Sequence, residues 1–354
     1  MRRIIGFLVV FALVAVFSTS GSAGTLVVAN KSEATVSLVD TGTNEVRATL
    51  PTGNAPHEVD VSPNGRLALV GNYGTRDEPG SSLTVIDVAA AEVVKTIELE
   101  GHTRPHGIVW LNDEVALVTA EDSRALLRVD IAKGKIAQEI GTDAEISHMV
   151  AVAREHGLAF VANIGSGSVT VIDLALGVRV ANVPTGEGAE GITVTPNGRQ
   201  VWVTNRAEDS ISVLNASGRK VVARIEAGEF PIRAEATDDG RFVLVTNAKG
   251  NDLSVFSTQE MKEVGRVSFT EVSKGDEGRL FSDRFGSSSV PIGIEIVESE
   301  RRVYVAHANA DGISIIDLDS GKVLGSLSAG KEPDGMGWSP LTPKDEPKVE
   351  APES

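Results

Sequence analysis

Glu190-Gly191-Ile192-Thr193-Val194-Thr195-Pro196-Asn197-Gly198-Arg199-Gln200-Val201-Trp202-Val203-Thr204-Asn205 reads as two strands folded about one turn. Residues 191–194 alternate apolar and polar, the period of a half-buried strand. Asn197-Gly198 supplies the positive φ that a tight hairpin demands. Residues 200–205 form a second apolar run. A polar stretch follows, then Ser210-Ile211-Ser212-Val213-Leu214 closed by Asn215, then Lys220-Val221-Val222-Ala223-Arg224-Ile225. Together they predict a four-stranded antiparallel meander.

The frame repeats along the chain. Fifteen positions separate His57 from Asn72, His106 from Glu121, His148 from Asn163, Glu190 from Asn205, Ile232 from Asn247 and Ile292 from His307. The third strand of each copy ends at Asp40, Asp87, Asp130, Asp173, Asn215, Ser257 or Asp317, which makes seven copies. A unit of ~45 residues fits a propeller blade. One four-stranded sheet cannot bury both faces, whereas seven packed radially cover one another. The expected fold is therefore all-β, a seven-bladed β-propeller of four-stranded antiparallel blades over residues 24–339. The last copy supplies only a first strand, 334–338, and the N-terminus only the other three, 25–30, 35–40 and 45–50. One C-terminal and three N-terminal strands are expected to close the ring, which leaves no unpaired partial sheet.

The ends of the second strands read Val27-Val28-Ala29-Asn30, Phe160-Val161-Ala162-Asn163, Trp202-Val203-Thr204-Asn205, Leu244-Val245-Thr246-Asn247 and Tyr304-Val305-Ala306-His307. With the V-x-V-I-D and T-G turns that follow, the chain resembles the YVTN-repeat seven-bladed β-propeller family of YncE-like exported proteins. The resemblance covers residues 25–338. It implies the fold and leaves the function open, because such proteins have varied roles and share no catalytic set. Glu121 and His307 stand where the family has Asn.

Composition narrows the rest. The chain has 354 residues, no cysteine and a formal charge of −16. Disulfides, thiolate metal sites and covalent c-type haem are excluded. The acidic balance argues against nucleic-acid or anionic-membrane binding. Arg2 and Arg3 precede an apolar run at 4–17 and small residues at 18–23. This is the pattern of a secretory signal, cut after Ala23; the run is shorter than the ~18–20 residues of a membrane span. Export makes the protein periplasmic or secreted, with no membrane span after cleavage. Residues 340–354 are rich in Pro and charge and predict a disordered tail. A monomer is expected.

Stacking the copies superimposes their polar residues. The first residue of each inner strand faces the channel mouth, and that column reads His57, His106, His148, Glu190, Ile232, Ile292 and Asp334. Glu121 and His307 join it from the second-strand ends, and His102 from an incoming loop; His156 goes to the opposite face. Glu58, Asn72, Asn163 and Arg233 stand where they could support a ligand. The candidate ligand-binding set is thus His57, Glu58, Asn72, His106, Glu121, His148, Asn163, Glu190, Arg233, His307 and Asp334. Imidazole with carboxylate suits zinc, copper or another first-row divalent ion, with His57, His106, His148 and Glu190 as ligands. The same groups suit acid–base work. They could equally tie blades together by hydrogen bonds.

A long connection at 268–290 enters the same face, with Phe269, Leu280, Phe281 and Phe285 among Lys274, Asp276, Glu277, Arg279, Asp283 and Arg284. It is a candidate lid or an inert apolar plug. The loop at 73–82 is a smaller extension. The leading expectation is an exported propeller that binds a small ligand or an exported protein partner on this face and performs no chemistry. The alternatives are a metal-assisted hydrolase or lyase, resembling lactonase-like propellers, and a metal-binding redox accessory protein.

Overall fold

The computed structural model describes residues 23–217, 219–270, 272 and 284–343. They form seven four-stranded antiparallel sheets. The innermost strands are Pro56–Val61, Pro105–Asn112, Ser147–Ala153, Ala189–Val194, Pro231–Ala236, Pro291–Val297 and Pro333–Ser339. Each touches the next, and Pro333–Ser339 touches Pro56–Val61, so the ring is complete. Pro333–Ser339 pairs antiparallel with Thr25–Asn30, which continues into Thr35–Asp40 and Glu45–Pro51. The seventh sheet therefore joins both ends of the chain. Residues 340–343 follow directly, where the Thr25 hydroxyl donates to Leu341 O at 2.6 Å. The remainder of the tail, and the signal pattern apart from Ala23, lie outside the described residues.

Second and third strands are almost wholly buried, because each sheet lies between two others. Their Val, Ile, Leu and aromatic side chains form the interblade layers, with Trp110, Trp202, Tyr304 and Phe160 among the largest. Outermost strands alternate toward solvent, as in Lys220–Glu226.

Two local devices aim side chains at the axis. The residue before every inner strand has positive φ: Ala55, Arg104, Ile146, Gly188, Phe230, Val290 and Glu332. This left-handed residue turns the chain inward. A register shift then follows the first pair of every inner strand. Pro56 faces Asn72 and Val59 faces Val70, so His57 and Glu58 together oppose Gly71 alone. Such a bulge re-aims the residues it contains. The second bulge position is Gly at 107, 191, 293 and 335, where a Cβ would meet the neighbouring inner strand's backbone, at 2.0 Å from Asp334 O for Gly293. In the remaining blades that position holds Glu58, Met149 and Arg233.

Acids further along three inner strands bind the ring together. Asp60 accepts the Trp110 amide at 3.0 Å, Glu235 the Ile296 amide at 3.1 Å, and Glu295 the Trp338 amide at 3.1 Å. Each bond reaches the next blade. Burial holds the Asp60 carboxyl up at about 6 and Glu235 at about 8.

Candidate functional site

The bulges gather the predicted column around one cavity of about 340 Å³ at the channel mouth. His57, His106, His148, Glu190, Ile232, Ile292 and Asp334 all line it, joined by Glu121 and Arg233. Their rings stack around the wall. His57 and His106 have centroids 5.3 Å apart and His106 and His148 3.6 Å apart, with Tyr73 at 4.2 Å from His57.

A continuous run of polar contacts follows that wall. Tyr73 donates its hydroxyl to Glu121 at 2.6 Å, and the other Glu121 oxygen meets His148 Nδ1. His148 Nε2 lies 3.2 Å from Glu190. Glu190 also pairs with Arg206 and, at 3.4 Å, with Arg233. Arg233 then crosses the axis to Glu58, its Nε donating at 3.0 Å. Arg233 and Glu58 come from blades on opposite sides of the ring. Beyond them lies a second cavity, of about 310 Å³, which Glu58, Asp60, Glu235 and Glu295 line. Arg233 borders both spaces, so the pair corks the channel.

The electrostatics follow from burial and neighbours. Burial opposes charging of His148, but Glu121 and Glu190 outweigh it, and its pKa is raised. Burial favours the neutral acid at Glu190, yet Arg206, His148 and Arg233 hold its carboxyl down at about 2. His57 has no carboxylate contact and His106 only Glu58, 4.0 Å away; desolvation, with like charge nearby, keeps both well below the ordinary imidazole value. His57 Nδ1 is tied to Ala55 O at 3.0 Å, whereas His106 Nδ1 is buried without a hydrogen-bond partner. Asp334 is 1% exposed and neither carboxylate oxygen has a partner. Burial raises its pKa to about 6.

That shift makes a prediction. The folded pKa of Asp334 lies above its unfolded value of 3.8. Its ionisation therefore costs the fold stability as pH rises from about 4 through 6, and the full cost persists above that. Asp334→Asn is expected to stabilise the empty protein by on the order of 2–3 kcal/mol at pH 7.5 and by little at pH 4. Urea unfolding at the two pH values checks it; equal effects at both would contradict the assignment.

Several sequence candidates lie elsewhere. Asn72 and Asn163 point between sheets. Asn72 donates to Ser82 and Thr84, both at 3.0 Å, and accepts from the Gly53 amide; Asn163 donates to Thr170 at 3.0 Å. The same lock recurs at Asn30, Asn205 and Asn247. His307 fills this position in its blade, its nitrogens 2.8 Å from Ser289 and Ser314, and burial lowers its pKa to about 3. It does not line the mouth. His102 lies 3.6 Å from Glu139 on an outermost strand.

Glu121 reaches the cavity for a reason the fifteen-residue spacing hides. Pro56 pairs with Asn72, but Pro105 pairs with Ala120, because a second bulge near Trp110 consumes one residue. Ala120 thus takes the Asn place and Glu121 falls one step beyond. Its amide bonds Arg104 O, as those of Ile164 and Arg206 bond Ile146 and Gly188. This next-after-Asn column is the rim. It also places Lys31, Tyr73, Ile164 and Arg206 on the cavity, none of which was a sequence candidate, although one step past each V-x-N triplet would have found them.

Two aromatics of the long connection pack inward, while Arg284, Gly286 and Ser287 are exposed. Phe269 stands edge-on to His307 at 4.7 Å, and Phe285 lies 4.8 Å from Phe230. Leu280, Phe281 and the charged residues from Lys274 to Asp283, on which the lid reading rests, lie outside the described residues.

One donor cluster could hold a metal ion. Ligand atoms of His106, Glu121 and His148 lie within 4.8 Å of one another. It differs from the expected set: it takes in Glu121 and omits His57 and Glu190.

The sequence matches a family model described as YNCE-like beta-propeller over residues 10–116 and 109–280. No curated protein matches it. Among solved structures, a functionally unknown protein from Desulfotomaculum acetoxidans DSM 771 superposes with a TM-score of 0.72 at 16% identity, covering 91% of this chain and 100% of the other. Kuenenia stuttgartiensis hydrazine synthase gives 0.68 at 18% identity, covering 86% and 94%. Dihydro-heme d1 dehydrogenase NirN, in complex with DHE, gives 0.62 at 15%, covering 88% and 74%. At these identities the likeness concerns the fold. Among the described residues, no helix is long and apolar enough to cross a membrane.

Proposed function

The chain belongs to the YNCE-like beta-propeller family, and from that premise we propose that it is an exported, non-catalytic binding protein whose His/Glu mouth holds a small ligand. One observation carries the reading. The mouth is a cavity corked from below, and Asp334 turns a fully buried carboxylate without a partner toward it. A buried polar group left unpaired is costly, and a ligand would satisfy it. The basic, apolar and small-residue pattern at 1–23 supports export. The loops around the mouth would serve for docking an exported partner protein. NirN, a protein in complex with DHE, contains a related fold, and the analogy supports ligand binding by a protein with such a ring and nothing closer.

A second reading, a divalent ion at the mouth, is favoured by the closeness of one ligand atom each from His106, Glu121 and His148, all within 4.8 Å, and by the buried Nδ1 of His106, which has no hydrogen-bond partner. Two imidazoles and a carboxylate are a fitting donor set for zinc. His148 would first lose the proton that Glu121 and Glu190 now hold there, so the ion would bind more tightly as pH rises.

Native mass spectrometry tests both. The mature protein, exported and purified without a metal-affinity tag, is compared with Ile292→Trp, whose indole would fill the mouth. A mass excess on the wild-type chain that the variant lacks is expected, and elemental analysis assigns it to metal or organic matter. Bare chains in both samples, even after incubation with a periplasmic small-molecule extract, would remove the pocket reading.

A further inference from the structure

The mouth has two unlike halves. On one, Glu121 and Glu190 face His148, Arg206 and Arg233, and Arg233 is shared with Glu58 beneath the mouth, so three negative charges meet three positive. That half is saturated and offers an incoming charge little. The other half is Asp334, Lys31, Ile232 and Ile292. Asp334 has no hydrogen-bond partner on either oxygen, and it sits in a bulge whose twin positions, His57 and Glu190, are engaged. Lys31 lines the same cavity, and its ammonium makes no ion pair or hydrogen bond among the described residues. Ile232 and Ile292, 1% and 3% exposed, form the apolar surface between the blades.

We propose that this half binds a small aliphatic zwitterion, its ammonium on Asp334, its carboxylate toward Lys31 and its carbon chain on Ile232 and Ile292. The assignment rests on the mouth being a ligand pocket. Charge decides the class. A simple amine would satisfy Asp334 but face Lys31, and a simple carboxylate would satisfy Lys31 but face Asp334. Only a molecule carrying both charges meets both groups, and charge-assisted hydrogen bonds are the strong ones. The cavity volume suits a molecule of about six to nine heavy atoms, and such pockets are apolar with a few placed polar groups.

Isothermal titration calorimetry of the mature chain with L-leucine, 6-aminohexanoate, hexylamine and hexanoate tests it. At least one zwitterion is expected to bind 1:1 and at least tenfold more tightly than hexylamine or hexanoate. Asp334→Asn and Lys31→Met are each expected to weaken it at least tenfold. A thermal melt shows that both variants are folded, with Asp334→Asn melting above wild type. Hexylamine or hexanoate binding as tightly as the zwitterions, or affinity that survives both substitutions, overturns the proposal. If neither zwitterion binds while mass spectrometry finds another occupant that Ile292→Trp expels, this proposal falls and the pocket reading stands. If neither binds and no occupant is found, both fall.

Discussion

Arg233→Ala is expected to lower stability by about 3–5 kcal/mol, the cost of stranding buried charge. Arg233 is 5% exposed, and its partners Glu58 and Glu190 are 7% and 2% exposed. Removing the guanidinium leaves Glu58 without an ion pair except the distant His106 Nδ1 at 4.0 Å. Glu190 keeps Arg206 and His148 and suffers less. The double replacement Arg233→Met with Glu58→Gln should recover most of the loss, since it removes both members of the pair and keeps the channel filled. Urea unfolding of Arg233→Met, Glu58→Gln and their combination closes the cycle, with Arg233→Ala measured beside them. A single-variant loss below about 1 kcal/mol would mean that Arg233 is not the strut described.

Deleting everything from Pro333 onward is expected to abolish the cooperative fold, whereas ending the chain after residue 343 should leave it intact. Pro333–Ser339 is the innermost strand of the seventh blade and touches inner strands on both sides. Its loss exposes the edge of Thr25–Asn30, every residue of which is buried. It also uncovers Val28, Leu26 and the interblade layer around Met336. An open, flat, apolar strand edge invites aggregation. Size-exclusion chromatography with thermal melting distinguishes the outcomes. A monomeric truncated chain with an undiminished melt would show that ring closure contributes little.

The blade was legible because a period-two strand pattern, Asn-Gly turns and Asp-terminated third strands leave local marks that owe nothing to distant contacts. The column from His57 to Asp334 was legible for the same reason: the repeat places one residue per blade at one height. What the repeat could not tell was orientation. Asn72 and Asn163 occupy the strand end beside the mouth but turn sideways, because the third-strand hydroxyls Thr84 and Thr170 offer them bonds. His307 turns with them, imidazole standing in for amide. Glu121 escaped its alignment because a bulge near Trp110 shifts the register by one, and a bulge leaves no plain trace in spacing. Arg233 was read as a supporting neighbour. That it meets Glu58 across the axis follows only from the diameter of the closed ring. Lys31 and Arg206 stand one step past the Asn of their triplets, a position that the repeat marks but whose turn toward the cavity only the folded ring reveals.

If the mouth binds a ligand as proposed, the strut between Glu58 and Arg233 would fix an order of events. With the passage stopped at its waist, a molecule in the cup must leave through the door by which it came. On the proposed function, a protein seated over that door would hold the guest captive. Loading would then precede docking, release would await undocking, and a partner arriving first would shut the guest out.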